Sequence, residues 1–266
     1  NIEIDPSRES EFAKKILKMP VEEPQPNYLE PGKDFSRINL RNGLTLYHTK
    51  NPLNDLFTFE INIQTGSLSN PKLPLVKLLL DKTNTPNFSA EELKIEWYKL
   101  GTSLNLNVAD QDVTISISGP SKSLPASLKL LTEIMRTPDV EEETLIKLKQ
   151  IVITRREDAM KDHNTVHRAL YHYNRLGDNA YFRRVPTNSE IIEFTKQDLL
   201  AVITELLNYE QTLSYTGPLT NEEITTIIEG YYDLPKRLKK PQDYRHLSYR
   251  EPNETQIYFV NREMAQ

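Results

Sequence analysis

The sequence predicts an α+β domain with an antiparallel sheet of five or six strands and helices packed mainly on one face. Strands and helices are grouped along the chain in the order ββ-β-αα-ββ-ααα-β-α, and neighbouring strands are joined by tight turns. The segment 57–63 alternates strictly, with Phe57, Phe59, Ile61 and Ile63 on one side and polar residues on the other. Such alternation is typical of an antiparallel sheet with one solvated face.

The first elements are a helix, a connector and a hairpin. Residues 7–18 predict a short helix that Ser7 can cap, with Phe12, Ile16 and Leu17 on one face. The stretch 19–32 is rich in proline and predicts an extended connector. Asn42-Gly43 lies between two alternating runs, which is a strong signal for a two-residue hairpin turn.

The remaining elements follow from the same periodicities. Helices are predicted over 73–80 and 89–100, the second with Ser89 as its cap and Glu92 at the capping-box position. Two alternating strands, 104–108 and 113–117, flank a turn at Asp110-Gln111. A run of helices then fills most of 121–207, broken near Thr137-Pro138 and Gly177, and is followed by a strand over 211–216 and a helix over 221–231.

These elements divide the chain into three parts. Residues 1–32 form a helix and a linker, and 33–231 form the main domain. Residues 232–266 are predicted to be a second linker followed by the first strand of another, truncated domain, at 256–260. The chain is therefore expected to be a piece of a longer protein.

Composition excludes several classes of function. The chain has no cysteine, which excludes thiol catalysis, disulfides and thiolate metal sites. Its formal net charge of -5 gives no basic footprint for nucleic acid. No apolar run approaches the roughly 20 residues of a membrane helix, and no glycine-rich phosphate loop is present.

Several motifs resemble, in order, those of the pitrilysin/insulinase zinc peptidases. The hairpin at 41–44 resembles the "lxNGlxv" strand pair, and the strand ending at 64–67 resembles the strand-Gly-Ser-helix entry to the zinc site. The segments 88–104, 195–199 and 215–219 resemble "ys.eel...l..lGasl", "it.eDl" and "v.Gdl". Together these motifs cover about 33–231, and the resemblance is strongest to the long bacterial members with four such domains.

The resemblance also implies that this domain lacks the catalytic zinc. Active members carry H-x-x-E-H on the helix after the Gly-Ser strand, whereas the corresponding positions here hold Leu73, Val76 and Lys77. The third ligand would fall within 153–156, which reads Ile-Thr-Arg-Arg. A catalytic zinc needs three protein ligands. No catalytic residue, metal ligand or cofactor is therefore predicted, and no substrate-binding residue is assigned.

Other side-chain groups admit a functional and a structural interpretation. His163 and His167 are four residues apart on a predicted helix, so they can clamp a metal, but a solvated helix face is favoured. The run 155–158 can bind an anion or a partner, or be a solvated helix surface. The basic residues Lys236, Arg237, Lys239 and Lys240 are interpreted as part of a tether.

A group of aromatic residues surrounds Gly177 in the sequence. Tyr171, Tyr173, Tyr181 and Phe182 can line a substrate chamber, because the resembled family encloses peptides between two halves. Packing within the domain explains the same residues and is favoured.

The resemblance implies a non-catalytic domain that forms part of a peptide-enclosing chamber and supports substrate binding. The parent protein is then expected to be a zinc metalloendopeptidase, with a periplasmic or cell-envelope location. The expected partners are neighbouring domains of the same polypeptide and the peptide substrate, with no nucleic acid and no membrane span. The alternative is a scaffold like the respiratory-complex core proteins that share the fold.

The first prediction concerns the metal. We expect the purified chain to bind no stoichiometric zinc and to cleave no peptide, because Leu73, Val76 and Lys77 cannot coordinate the ion. Elemental analysis together with a fluorogenic peptide assay checks this. About one zinc per chain, lost in His163→Ala, would contradict it and favour the histidine pair.

Overall fold

A six-stranded sheet with helices packed against it makes up the main domain in the computed structural model. The structure describes residues 9–21, 25–41, 43–233, 235, 237–243 and 245–261. The strands are β1 (Ser36–Asn39), β2 (Thr45–Lys50), β3 (Leu56–Ile63), β4 (Ser103–Val108), β5 (Val113–Pro120) and β6 (Gln211–Gly217). The helices are α1 (Glu11–Leu17), α2 (Leu73–Leu80), α3 (Ala90–Leu100), α4 (Leu124–Arg136), α5 (Glu142–Ala159), α6 (His163–Leu176), α7 (Tyr181–Arg184), α8 (Asn188–Glu193), α9 (Lys196–Leu206) and α10 (Asn221–Tyr231).

The strand order is β1-β2-β6-β3-β5-β4, which confirms the predicted α+β fold with a sheet of six strands. All neighbouring pairs are antiparallel except β2 and β6, which are parallel. The parallel pair has a geometric cause. Strands β2 and β3 run in opposite directions, and β6 lies between them, so β6 must be parallel to one of the two.

One face of the sheet is buried against helices. The buried apolar residues of β3 and β5, including Phe59, Ile61 and Ile115, belong to one continuous core with residues of α2, α4, α5, α9 and α10. Polar residues alternate with them along each strand and are exposed or half-buried. The helices therefore cover one face, as the sequence predicts. No helix in the described part of the chain is long and apolar enough to cross a membrane.

The predicted capping of α3 is confirmed. The Ser89 hydroxyl accepts a hydrogen bond from Glu92 N, and the Glu92 carboxylate accepts one from Ser89 N at 2.8 Å. The first helix differs from the prediction, because Ser10 caps it by accepting from Ala13 N at 3.1 Å. Ser7 lies outside the described residues, as does Asn42 of the predicted hairpin turn. Phe12 and Leu17 are exposed, and no residue of α1 is buried.

A buried aromatic stack joins β2, β6 and β3. The Tyr215 ring stacks on His48 with centroids 5.6 Å apart and on Phe57 with centroids 6.4 Å apart. His48 Nε2 lies 2.7 Å from the carbonyl oxygen of Leu219, and the Tyr215 hydroxyl accepts from Leu219 N at 3.3 Å. The Tyr215 ring lies over Gly217, and a Cβ added at Gly217 would overlap the Tyr215 hydroxyl oxygen. Only glycine fits at this position.

A buried lysine fixes α5 to α8. Lys149 is 9% exposed, and its ammonium group donates to the carbonyl oxygens of Ile192 at 3.0 Å and Phe194 at 2.5 Å. Both carbonyls lie at the C-terminal end of α8, where the unpaired carbonyls of a helix carry partial negative charge. The cation is thus compensated without a carboxylate.

The predicted strand at 256–260 does not form in the structure, and its assignment to a following domain stays a prediction. Residues 256–260 have no ladder partner among the described residues, and Ile257 and Phe259 are exposed. The second linker also contacts the main domain, since Glu210 N donates to Lys239 O and Lys239 N donates to Asn208 O, each at 2.7 Å. A strand forms only where another strand completes its hydrogen bonds, and none of the described strands does so for 256–260.

We predict that Gly217→Ala destabilises the domain by about 1–3 kcal/mol, because the new methyl group displaces the Tyr215 ring from its stack. Gly230→Ala is the matched control. Gly230 lies on α10 with nothing within 4 Å of the added Cβ, so this change should be neutral or stabilising by up to about 1 kcal/mol. Urea unfolding of both variants measures the difference, and equal stability of the two would refute the packing argument.

Candidate functional site

The entry to α2 corresponds to the Gly-Ser motif of the sequence. Ser67 N donates to Ala109 O and Leu68 N to Asp110 O, each at 2.9 Å, and the Ser67 hydroxyl donates to the Asp110 carboxylate at 3.1 Å. A Cβ on Gly66 would lie 2.5 Å from backbone atoms of Asp110. Glycine is therefore required by close backbone approach. This contact fixes the start of α2 against the β4–β5 turn.

The positions predicted to replace the zinc motif lie on α2 in two environments. Leu73 and Val76 are 1% and 0% exposed and belong to the core, whereas Lys77 is exposed. On α5, Ile153 is buried and Arg156 donates to Pro186 O at 2.6 Å. Neither an apolar side chain nor a cation can coordinate zinc. In the described part of the chain, no group of three or more His, Asp or Glu residues is arranged to hold a metal ion.

A carboxylate from the "it.eDl" motif links α9 to the entry of α2. Asp198 accepts hydrogen bonds from Thr195 N at 2.9 Å and from the Thr195 hydroxyl at 2.7 Å, and its carboxylate lies 3.2 Å from Lys72 Nζ. The Thr195 hydrogen bonds, aided by Lys72, lower the pKa of Asp198 to about 2. Lys72 also lies 5.0 Å from the centre of the Phe194 ring. This motif is thus a helix cap with an inter-helix ion pair.

A small open pocket lies beside the α2 entry. It is lined by Ser67, Pro71, Pro74, Tyr181, Arg184 and Val185. The Arg184 guanidinium is 3.1 Å from the Asp110 carboxylate and donates to Asn179 O at 2.7 Å. Its charge is therefore already neutralised within the domain, and the pocket offers a substrate mainly apolar contacts.

The histidine pair lies on an exposed face of α6. His163 and His167 are both exposed, and the neighbouring Asp162 caps the helix by accepting from Thr165 N at 2.9 Å. That cap lowers the pKa of Asp162 and uses the carboxylate nearest to the histidines. The two arginines of the charged run 155–158 differ in environment: Arg155 is exposed, whereas Arg156 donates to Pro186 O. Of the basic linker group, Lys236 lies outside the described residues, and Lys239 pairs with Glu205 at 2.7 Å.

Of the aromatic residues near Gly177, Tyr173 packs against the C-terminal segment 245–261. The Arg250 guanidinium lies 5.7 Å from the Tyr173 ring and 5.3 Å from the Tyr258 ring, and Arg250 N donates to Arg175 O at 2.7 Å. Arg175 in turn lies 4.1 Å from the Tyr249 ring. These contacts favour the packing interpretation for Tyr173, while Tyr171, Tyr181 and Phe182 remain about half exposed.

The second face of the sheet, here called the open face, is mostly polar. Its residues are exposed or half-buried. Leu56 and Pro120 are opposite each other at one end of the face, and apart from Arg37, Tyr47 and Glu60 all of the others are serine, threonine or asparagine. Apart from Leu56 and Pro120, they form three cross-strand rows: Thr49, Thr216, Thr58, Ser118 and Ser103; Arg37, Tyr47, Ser214, Glu60, Ser116 and Asn105; and Asn39, Thr45, Thr212, Asn62, Thr114 and Asn107.

Few contacts within the protein use these polar groups. Asn62 donates to the Thr114 hydroxyl at 3.3 Å, Ser103 and Ser118 lie 3.0 Å apart, and the Ser214 hydroxyl donates to Glu60 at 3.2 Å. Hydroxyl and amide groups both donate and accept, so they can exchange water for the backbone of another chain at small cost. Periodicity identified the polar positions of β3, but the rows require the register of all six strands.

Comparison with known proteins identifies the fold. No protein-family model matches the sequence, and no curated protein matches it. A structure of the ferredoxin protease FusC, solved as a mutant in complex with Arabidopsis ferredoxin, superposes with a TM-score of 0.70 at 14% identity over 93% of this chain and 28% of that chain. A peptidase M16 inactive domain from Pseudomonas fluorescens gives 0.65 at 13% identity, over 79% of this chain and 52% of that chain.

A third solved structure, the periplasmic protease PqqL from Escherichia coli, gives a TM-score of 0.66 at 16% identity over 84% of this chain and 26% of that chain. The chain therefore has the fold of the pitrilysin-type (M16) peptidase domains, as the sequence motifs indicate. It spans about half or less of the length of the structures it matches.

We predict that the charge of Asp198 stabilises the domain above about pH 4 and that this contribution is lost as the pH falls towards about 2. The sign follows from a folded-state pKa near 2, below the ordinary value of 3.8. In Asp198→Asn the thermal midpoint should be lower than that of the wild type at pH 7, and the gap should close by about pH 2.

Glu157→Gln, which removes an exposed carboxylate of α5, is the matched control and should preserve the pH profile of the wild type. A gap for Asp198→Asn that is constant from pH 7 to pH 2 would contradict the role of the charge.

Proposed function

We propose that this domain is a non-catalytic part of a zinc metallopeptidase and forms a wall of the chamber that encloses the peptide substrate. The fold supports this, since one solved structure with the same fold is a peptidase inactive domain and two others are proteases. The catalytic zinc would be held elsewhere in the parent protein, because Leu73, Val76 and Lys77 stand where the ligands of an active domain would be.

The observation that carries the proposal is the chemistry of the open face. A sheet face covered by another protein layer is expected to be apolar, since burying unpaired hydroxyl and amide groups costs free energy. A face in contact with ordinary solvent is expected to carry many charges, and 27% of this chain is charged. The three cross-strand rows of the open face have neither character, apart from the charged Arg37 and Glu60 and the aromatic Tyr47. Neutral hydrogen-bonding groups suit a wet surface that binds peptides of varied sequence.

The scaffold alternative has less support. A scaffold would bury this face against a partner, and the centre of a permanent interface is richer in apolar residues than ordinary surface. Tyr47, 37% exposed, is the one aromatic residue in the three rows of the open face. For the parent protein we propose a periplasmic or cell-envelope location, which is the location that PqqL has by its description.

The proposal predicts that blocking the open face weakens peptide binding. Thr58 lies on the central strand β3, and Thr58→Phe places a bulky ring in the first row. Phenylalanine is favoured in β-strands, so the substitution should leave the strand intact. We expect the affinity of the full chain for a fluorescein-labelled pool of casein peptides to fall by about fivefold or more, equivalent to about 1 kcal/mol. Fluorescence anisotropy measures this.

The control is Thr226→Phe, which adds the same ring at an exposed position of α10 on the helical side. Thermal midpoints of both variants establish that they remain folded. Equal binding by the two variants, or no binding by the unmodified chain, would refute the proposed chamber wall.

A further inference from the structure

The two charged residues of the open face have opposite signs and lie in the same cross-strand row. Arg37 on β1 is opposite Tyr47 on β2, Tyr47 is in register with Ser214 on β6, and Ser214 is opposite Glu60 on β3. No salt bridge is present for either charged group among the described residues, and the Ser214 hydroxyl donates to Glu60 at 3.2 Å. Both charges therefore remain available to a ligand.

The spacing of the two charges corresponds to a simple length of peptide. They are separated by three strand spacings, about 14 Å at roughly 4.8 Å per strand. An extended chain rises about 3.4 Å per residue, so residues four apart are also separated by about 14 Å. Because side chains alternate along an extended chain, residues i and i+4 point to the same side. Both can face the sheet at once.

We infer that the open face selects an extended peptide that crosses the strands with a lysine or arginine at Glu60 and a carboxylate about four residues away at Arg37. The carboxylate belongs to an aspartate, a glutamate or the peptide's C-terminus. The residue midway between them also faces the sheet, above Tyr47 and Ser214. Tyr47 packs edge-on against Phe35 with centroids 5.8 Å apart, so this middle subsite offers an aromatic surface.

Charge complementarity gives this peptide an advantage over a neutral one. Glu60 is half-buried among serine, threonine and asparagine side chains, where Coulomb attraction is screened less than at a fully exposed site. The inference rests on the proposed chamber wall and adds a charge preference to it. It applies to the second row only, because the other two rows of the open face hold no charged residue.

The test uses the full chain and labelled peptides with one lysine and one glutamate at positions i and i+4. We expect Glu60→Gln to weaken binding of this peptide by about fivefold, the size typical of a partly exposed ion pair. Glu157→Gln removes the same charge from α5 and should have no effect. Arg37→Gln and its control Arg155→Gln test the other end in the same way.

Two comparison peptides isolate the geometry. Replacing the lysine by norleucine should abolish the difference between wild type and Glu60→Gln. Moving the glutamate to three residues from the lysine puts the two side chains on opposite sides, and should abolish the effect of Arg37→Gln. Raising the salt concentration should weaken the four-residue peptide most.

The outcomes separate this inference from the proposed function. If Thr58→Phe blocks binding while Glu60→Gln and Arg37→Gln bind like their controls, the charge preference is wrong and the chamber wall stands. If no peptide binds the wild type, both are wrong. Thermal midpoints of the variants identify any loss of folding. The Glu60 variant and the Arg37 variant are independent tests, so a failure of one to fold leaves the other interpretable.

Discussion

The position of β6 between β2 and β3 is the constraint on which the rest of the sheet depends. Without it, the β1–β2 hairpin would have no hydrogen-bonded contact with β3, β5 and β4. The strand arrives after the helical run from α4 to α9, so its pairing closes a long loop. The loss of chain entropy must be offset by burial, and Leu213 and Tyr215 are 0% and 1% exposed. The stack of Tyr215 on His48 and Phe57 holds both sides of this insertion together.

Local features of the fold were predictable because their causes lie within a few residues. The alternation in β3 and β5 and the capping box of Ser89 and Glu92 are examples. The parallel pairing of β2 with β6 was not predictable, since no local pattern records which strand is inserted where. The contacts of Arg250 with Tyr173 and Tyr258 depend equally on residues distant in the sequence, so no local pattern predicts them.

The candidate site shows the same division. That Leu73, Val76 and Lys77 correspond to the zinc motif is a prediction from resemblance, and the structure adds that the first two are core residues. They cannot simply be exchanged for ligands, because a histidine at either place would bury a polar ring without a hydrogen-bond partner. The open face could be recognised only from the register of the strands. The polar residues at 58, 60 and 62 become part of a surface because they lie beside Thr216, Ser214 and Thr212.

A neutral open face carries a hazard that the edges of this sheet reduce. Flat polar strands with little charge invite pairing with other chains at unpaired edges. Here β1 is only four residues long and carries Arg37, and the outward side chains of β4 are Ser103, Asn105 and Asn107. Both edges are therefore short or polar, and β6, whose Leu213 and Tyr215 are buried, lies inside the sheet. The neutral groups lie on the face of the sheet, where their side chains can contact a peptide. The short edge strand β1 and the polar edge strand β4 reduce backbone pairing with a second copy of the chain.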